Sequence, residues 1–204
     1  ERLGRRHAVA TASGTAALHI ALLVAGVGPG DDVLCPTLTF IASANAIRYC
    51  GARPVLVDAE GEYWQMDWGL TGPVDYASAA LPVDLLGHPS WWGMADTRPV
   101  ILDATEALGA IGDGTLRADI ECYSMNANKV ISGAGGGMIV TDNAEWADHA
   151  RRLIDQGRSE RPEFVHSEIG YNYRYDNLRA AIALAQFERL DEHLERKRAI
   201  ARRY

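Results

Sequence analysis

Short apolar runs alternate with alanine-rich helical stretches along this chain, and several of the runs end in a polar residue. His7 to Thr11, Val33 to Cys35, Pro54 to Val57, Ala79 to Val83, Pro99 to Leu102 and Ile120 to Tyr123 read as strands. Ala16 to Ala25, Ile41 to Tyr49 and Asn143 to Gln156 read as helices. Strands joined by helices return in the same direction, so the alternation predicts an α/β fold with a largely parallel sheet covered on both faces. In such sheets ligands gather beyond the C-terminal ends of the strands. The residues at those ends therefore carry the functional argument.

Four strand ends stand out. Ser13-Gly14-Thr15 separates the first strand from the first helix. The opening amides of a helix have no internal partner and lie at the positive end of its dipole, so this turn suits a phosphate. It also reads as a plain N-cap. Phe40 stands where the second strand passes into a helix, placed to pack in the core or to stack on a flat ligand. Asp103 ends the Pro99 to Leu102 run, either to cap the next segment or to serve a ligand. Ser124-Met125-Asn126-Ala127-Asn128-Lys129 follows the Ile120 to Tyr123 run, with the glycine cluster Gly133 to Gly137 behind it and a second apolar run, Met138 to Val140, beyond. A lysine that forms an imine must admit a flat carbonyl compound beside its own backbone. The glycines are predicted to give that clearance and to permit positive φ.

Bulk properties exclude several classes. A net charge of −7 argues against a nucleic-acid-binding surface. No apolar run is long enough for a membrane span. The charged opening, Glu1 to Arg6, is not a signal peptide. Cys35, Cys50 and Cys122 are odd in number and sit in apolar runs, which predicts buried free thiols and a reducing, cytoplasmic setting. The six histidines show no metal-ligand spacing. No G-x-G-x-x-G follows the first strand, so a dinucleotide fold is disfavoured.

The four strand ends together suit pyridoxal 5'-phosphate. That cofactor has a phosphate, a flat ring, a basic ring nitrogen and an aldehyde, and each needs a different partner. A lysine bonds the aldehyde and later shuttles protons. A carboxylate beside the ring nitrogen keeps it protonated, since an opposite charge favours the charged form.

The motifs S-G-T-A-A-L, P-T-L-T-F, I-L-D-A-T-E-A-L-G, S-M-N-A-N-K with G-G-G-M-I-V-T-D-N, and G-Y-N-Y-R also resemble, in order, the DegT-type nucleotide-sugar aminotransferases. The resemblance implies the large domain of a fold-type I pyridoxal-phosphate enzyme, three layers with a mostly parallel mixed sheet. It implies Lys129 as the imine-forming lysine, Asp103 on the pyridine nitrogen, and Phe40 on the ring. Gly14, Thr15 and Ser124 are implied on the phosphate, Glu106 near the ring hydroxyl, and Asn172 on the phosphate of a neighbouring subunit in a homodimer. Glutamate as amino donor and a keto-sugar nucleotide as acceptor follow, with a 4-keto-6-deoxy N-acetylhexosamine implied by the glutamate at position 106. Glu106 equally reads as a first-turn helix acid. A related sugar dehydratase would carry histidine in place of Lys129, and a non-catalytic homologue retaining the fold is the remaining alternative.

Residues 1–175 are expected to form the cofactor-binding large domain, incomplete at its N-terminus. Asp176 to Tyr204 reads as one long helix with an apolar stripe of Leu178, Ile182, Ala185, Leu190, Leu194 and Ile200, leading toward an absent C-terminal small domain. Its basic residues, Arg196-Lys197-Arg198 among them, are expected in solvent. Glu60 to Ala77 has no clear period and reads as a compact loop region. Trp91 to Met94 is expected as a single helical turn, and Arg158 to His166 as a polar loop.

Overall fold

The computed structural model describes residues 2–71, 76–90, 98–110, 118–159 and 164–204. The turn expected at Trp91 to Met94 and part of the loop expected at Arg158 to His166 lie outside them. The described strands are β1 (His7–Thr11), β2 (Asp32–Pro36), β3 (Arg53–Val57), β4 (Ala79–Ala80), β5 (Ile101–Asp103), β6 (Ile120–Ser124) and β7 (Gly137–Thr141). The α-helices are α1 (Gly14–Val24), α2 (Ala42–Tyr49), α3 (Ala144–Ile154), α4 (Asn177–Phe187) and α5 (Leu190–Ala201).

Two ladders, β1-β7-β6-β5 and β3-β2-β4, are joined by the parallel bridges Ala80 to Val100 and Val83 to Asp103. The strands thus run β3-β2-β4-β5-β6-β7-β1. Only β7 is antiparallel to its neighbours, β1 and β6. The expected strand Ala79 to Val83 survives as a two-residue ladder because Pro82 has no N–H to give. Pairing continues around it: Asp103 N donates to Pro82 O (2.9 Å) and Asp84 N to Asp103 O (3.0 Å). This stitching fixes Asp103 at the middle of the C-terminal edge.

Alternation along the strands builds two cores. Val33, Cys35, Ile101, Ile120, Cys122 and Ile139 face the layer that contains α1 and α3. Leu102, Tyr123 and Val140 face the opposite layer, against Leu3, Trp68 and Leu108. At one end of that layer Met125 and Ile131 pack with Ala183 of α4 and Leu190 of α5.

The C-terminal helix differs from the expectation of one continuous element. It breaks between α4 and α5, where Arg189 leaves helical geometry (φ −104°, ψ 15°) and its amide bonds three residues back to Gln186 O (3.1 Å). Leu190, only 1% exposed, begins the new segment. Burying it in the Met125–Ile131 cluster sets the direction that α5 takes. Leu178, Ile182 and Ile200 of the expected stripe stay exposed.

An ion-pair group closes the β1 end of the opposite layer. The Arg5 side chain is 5% exposed. Its Nε donates to Glu121 Oε1 (3.1 Å) and its Nη1 to Asp142 Oδ2 (3.0 Å), and it also reaches the Ala118 carbonyl. Glu121 in turn accepts from the Tyr123 hydroxyl (2.8 Å). Removing one member of a buried pair leaves the other charge uncompensated, at a cost of about 3–5 kcal/mol. Arg5→Ala is therefore expected to lower the unfolding free energy by about that amount in urea titrations. A loss below about 1 kcal/mol would class the group with exposed pairs.

Candidate active site

The site is assembled from the ends of β1, β2, β5 and β6. β1 runs into Ser13, whose extended backbone and side chain cap α1: Ser13 Oγ accepts from Ala16 N (3.1 Å) and Ser13 O from Ala17 N (3.0 Å). These acceptors serve the third and fourth amides of the helix. The first two, of Gly14 and Thr15, are left pointing out of the helix end.

Across from this turn stands Ser124, the last residue of β6. A Cβ added at Gly14 would lie 3.0 Å from Ser124 Cβ and 3.1 Å from Thr105 Cγ2. Position 14 must stay bare for the helix end to open into the space between them. Gly14, Thr15, Phe40, Glu106, Ser124 and Lys129 all line one cavity of about 330 Å³, with Thr105 and Asn126. Phe40 stands at its mouth, 73% exposed.

The glycine cluster does more than give the clearance expected around Lys129, where Gly135 and Gly136 line the same cavity. Gly137 lies against the phosphate-ready turn: a Cβ there would come within 2.4 Å of Ser13 O. Gly135 and Gly136 have φ of 118° and 106°, and Gly136 N donates to Ala12 O (3.1 Å). The cluster therefore brings the loop behind Lys129 onto the turn that opens α1. Tyr175, which sequence reasoning missed, holds the loop from outside. Its hydroxyl lies 3.1 Å from the carbonyls of both Gly133 and Gly135.

Lys129 sits in a turn closed by its own amide on Asn126 O (3.0 Å). Its Nζ donates to Glu106 Oε1 (3.0 Å), and the Leu86 amide donates to Glu106 Oε2 (3.0 Å). Glu106 is thus fixed between a cation and a backbone N–H. Leu86 adopts φ 55°, which turns its amide to the carboxylate.

Asp103 lies just beneath the cavity, 3% exposed. Ser43 Oγ donates to its Oδ2 (2.6 Å) and Thr105 N to its Oδ1 (3.2 Å). Ala42, next to Ser43, and Thr105 both line the cavity, so the acid is held by its floor. Burial pushes the Asp103 carboxyl up, and the Ser43 and Thr105 hydrogen bonds and the Lys129 charge oppose that. Ser43 is a further contributor that sequence reasoning missed. Its hydroxyl also lies 3.1 Å from Thr39 Oγ1, in the segment that precedes α2.

Asn172 does not join the others within this chain. Tyr171 and Tyr173 on either side of it lean against His19 of α1, with ring centroids 4.8 and 6.0 Å away. Asn172 between them is exposed. The Tyr173 carbonyl accepts from Ala12 N (2.7 Å), which ties this segment to the start of the α1 turn.

With this geometry in hand, comparison with known proteins is decisive. The sequence profile of the DegT/DnrJ/EryC1/StrS aminotransferase family matches residues 1–204. This chain belongs to that family. It is 40% identical over 207 residues to GDP-perosamine synthase of Caulobacter vibrioides, covering 94% of this chain and 54% of the relative. It is 34% identical to UDP-4-amino-4-deoxy-L-arabinose--oxoglutarate aminotransferase of Shewanella sediminis, covering 98% of this chain and 57% of the relative. A DegT DnrJ EryC1 StrS aminotransferase from Brucella abortus superposes with a TM-score of 0.90 at 30% identity, over 100% of this chain and 59% of that one. The chain therefore spans between half and two thirds of the length of these relatives. The fold is that of a fold-type I pyridoxal-phosphate enzyme, as the motifs predicted.

A second buried acid borders the site. Burial raises Asp84 to about 6, although the Ser90 amide and hydroxyl favour its charged form, and Asp103 and Glu121 push it further up. A carboxyl raised in the folded state stabilises the fold while protonated, and loses that stabilisation as pH rises through its folded value. Asp84→Asn is therefore expected to gain on the parent as pH goes from about 4 to about 7, by on the order of 2–3 kcal/mol. Thermal unfolding of both proteins, without added cofactor, measures this. A gap that is constant or that narrows over this range would contradict it.

Proposed function

We propose that this chain carries the cofactor site of a pyridoxal-phosphate-dependent aminotransferase that moves an amino group from glutamate to a keto sugar linked to a nucleotide. The observation that carries the reading is the convergence on one cavity of a bare-turn helix end, Lys129 and the floor acid Asp103. The residues fit the cofactor: Gly14 leaves a cradle that a Cβ would fill, and the free amides beside it suit a phosphate. In this reading Gly14, Thr15 and Ser124 hold the phosphate, Phe40 covers the ring, Asp103 keeps the ring nitrogen protonated, and Lys129 bonds the aldehyde carbon. When bound, the cofactor supplies a carbonyl for amine exchange and a ring that accepts electrons.

The chain's own residues do the rest. Lys129 is the amine that gives and takes protons, and Glu106 holds that amine when it is free and charged. Ser43 donates to Asp103 and so favours its ionised form against the desolvation of its site. Residues 1–175 supply this large domain and α4 and α5 lead from it. The exposed apolar residues of α4, together with the outward-facing Asn172, support a homodimer in which Asn172 completes the partner's site. The buried free thiols support a cytoplasmic enzyme. The glutamate at position 106 makes a 4-keto-6-deoxy N-acetylhexosamine nucleotide the first acceptor to test.

The complete protein is expected to take up pyridoxal phosphate with a visible absorbance band that glutamate bleaches and a keto-sugar nucleotide restores, releasing an amino sugar. Lys129→Ala is expected to lose the band and at least about 10³-fold in turnover. A band that persists in Lys129→Ala, or that glutamate leaves unchanged in the parent, would refute the assignment.

A further inference from the structure

The space around Lys129 continues past it. A second, wider cavity of about 540 Å³ shares Glu106, Asn128 and Lys129 with the first as a common wall. Its far side is α5, through Leu194, Lys197 and Arg198. The basic residues of this helix are exposed, as expected, and the structure divides them by their partners. Arg189 and Arg196 are paired with Glu192, at 2.8 and 2.7 Å. Lys197 and Arg198 line the cavity, and among the described residues neither has a carboxylate within salt-bridge distance. Arg198 donates to the Gly109 carbonyl (3.2 Å), which orients its guanidinium along the cavity wall.

The chain has only two lysines, Lys129 and Lys197, and both line this cavity. Glu106, in the shared wall, is already compensated by Lys129 and the Leu86 amide. In a chain of net charge −7, Lys197 and Arg198 side by side in a cleft next to a reactive lysine mark a place for an anion, Arg198 with the N–H donors left over from its bond to Gly109. A diphosphate fits them better than a carboxylate does. It offers several charged oxygens at once, enough for an ammonium and a guanidinium side by side. The volume is also within the range of sites for whole small-molecule ligands.

We propose that this second cavity receives the sugar–diphosphate arm of the nucleotide-linked substrate, with Lys197 and Arg198 binding the diphosphate while the keto carbon lies at Lys129. The proposal rests on the aminotransferase reading and assigns it a substrate subsite.

The test uses the complete protein loaded with cofactor. GDP and UDP are titrated by calorimetry, with inorganic pyrophosphate as competitor, into the parent and the Lys197→Gln, Arg198→Gln and Arg196→Gln variants. Expected are binding of at least one nucleotide to the parent, displacement by pyrophosphate, and about tenfold weaker binding in each cavity variant. Arg196→Gln, on the Glu192 side, is expected to change affinity by less than about twofold. The KM for the nucleotide sugar is expected to rise by about the same factor as the dissociation constant. Binding that is equal in parent and cavity variants, absence of nucleotide binding in the parent, or a rise in KM for glutamate instead would each overturn the proposal. Arg198→Gln also removes the bond to Gly109. Should it fail to fold, the Lys197→Gln titration decides. Failure of the aminotransferase reading itself shows separately, as cofactor absorbance that glutamate leaves unmoved in the parent.

Discussion

The site depends on one close approach of backbone to backbone. Gly137 begins β7 so near the Ser13 carbonyl that no side chain fits between them. Because β7 lies antiparallel between β6 and β1, this contact brings the loop after β6 onto the turn after β1. One element carries the lysine and the other the open helix end. Any larger residue at position 137 would force them apart, and the cavity between them would lose its two walls together. Tyr175 and the positive-φ glycines before Gly137 hold the same junction from the outer side.

Within that frame the charges are arranged by burial. Asp103 sits on the floor, where desolvation opposes its ionisation and Ser43, Thr105 and Lys129 support it. Glu106 sits higher and more exposed, with one oxygen on Lys129 and the other on a backbone amide. The two acids face different tasks, one beneath a ligand and one beside the amine. Their separation follows from Asp103 ending β5 while Glu106 lies one turn further on.

Much of this was legible in the sequence, because strand ends in a parallel sheet carry their side chains to a common edge whatever the details of packing. Gly14, Thr15, Phe40, Glu106, Ser124 and Lys129 were named from that rule and from family motifs, and the structure gathers them around one cavity with Asp103 beneath it. What was not legible depends on contacts between distant segments. The glycine cluster reads as room for Lys129 from its own neighbourhood, yet Gly137 also answers to Ser13, over a hundred residues earlier, and Gly133 and Gly136 to Tyr175. The break at Arg189 left no Gly or Pro in the sequence, since the pull comes from Leu190 burying against Met125 and Ile131. Ser43 looked like any small residue in a helix until Asp103 was placed opposite it. The basic residues of α5 looked uniform, and only packing separates those that pair with Glu192 from those that line a cavity.

The central claim is that Lys129, and not another amine, forms the covalent link to the cofactor. Reducing the pyridoxal-phosphate-loaded protein with borohydride, digesting it and locating the pyridoxyl group by mass spectrometry tests this directly. The account expects the label on the peptide that contains Lys129, at close to one group per chain. Label on the Lys197 peptide, or no fixed label on this segment, would contradict it.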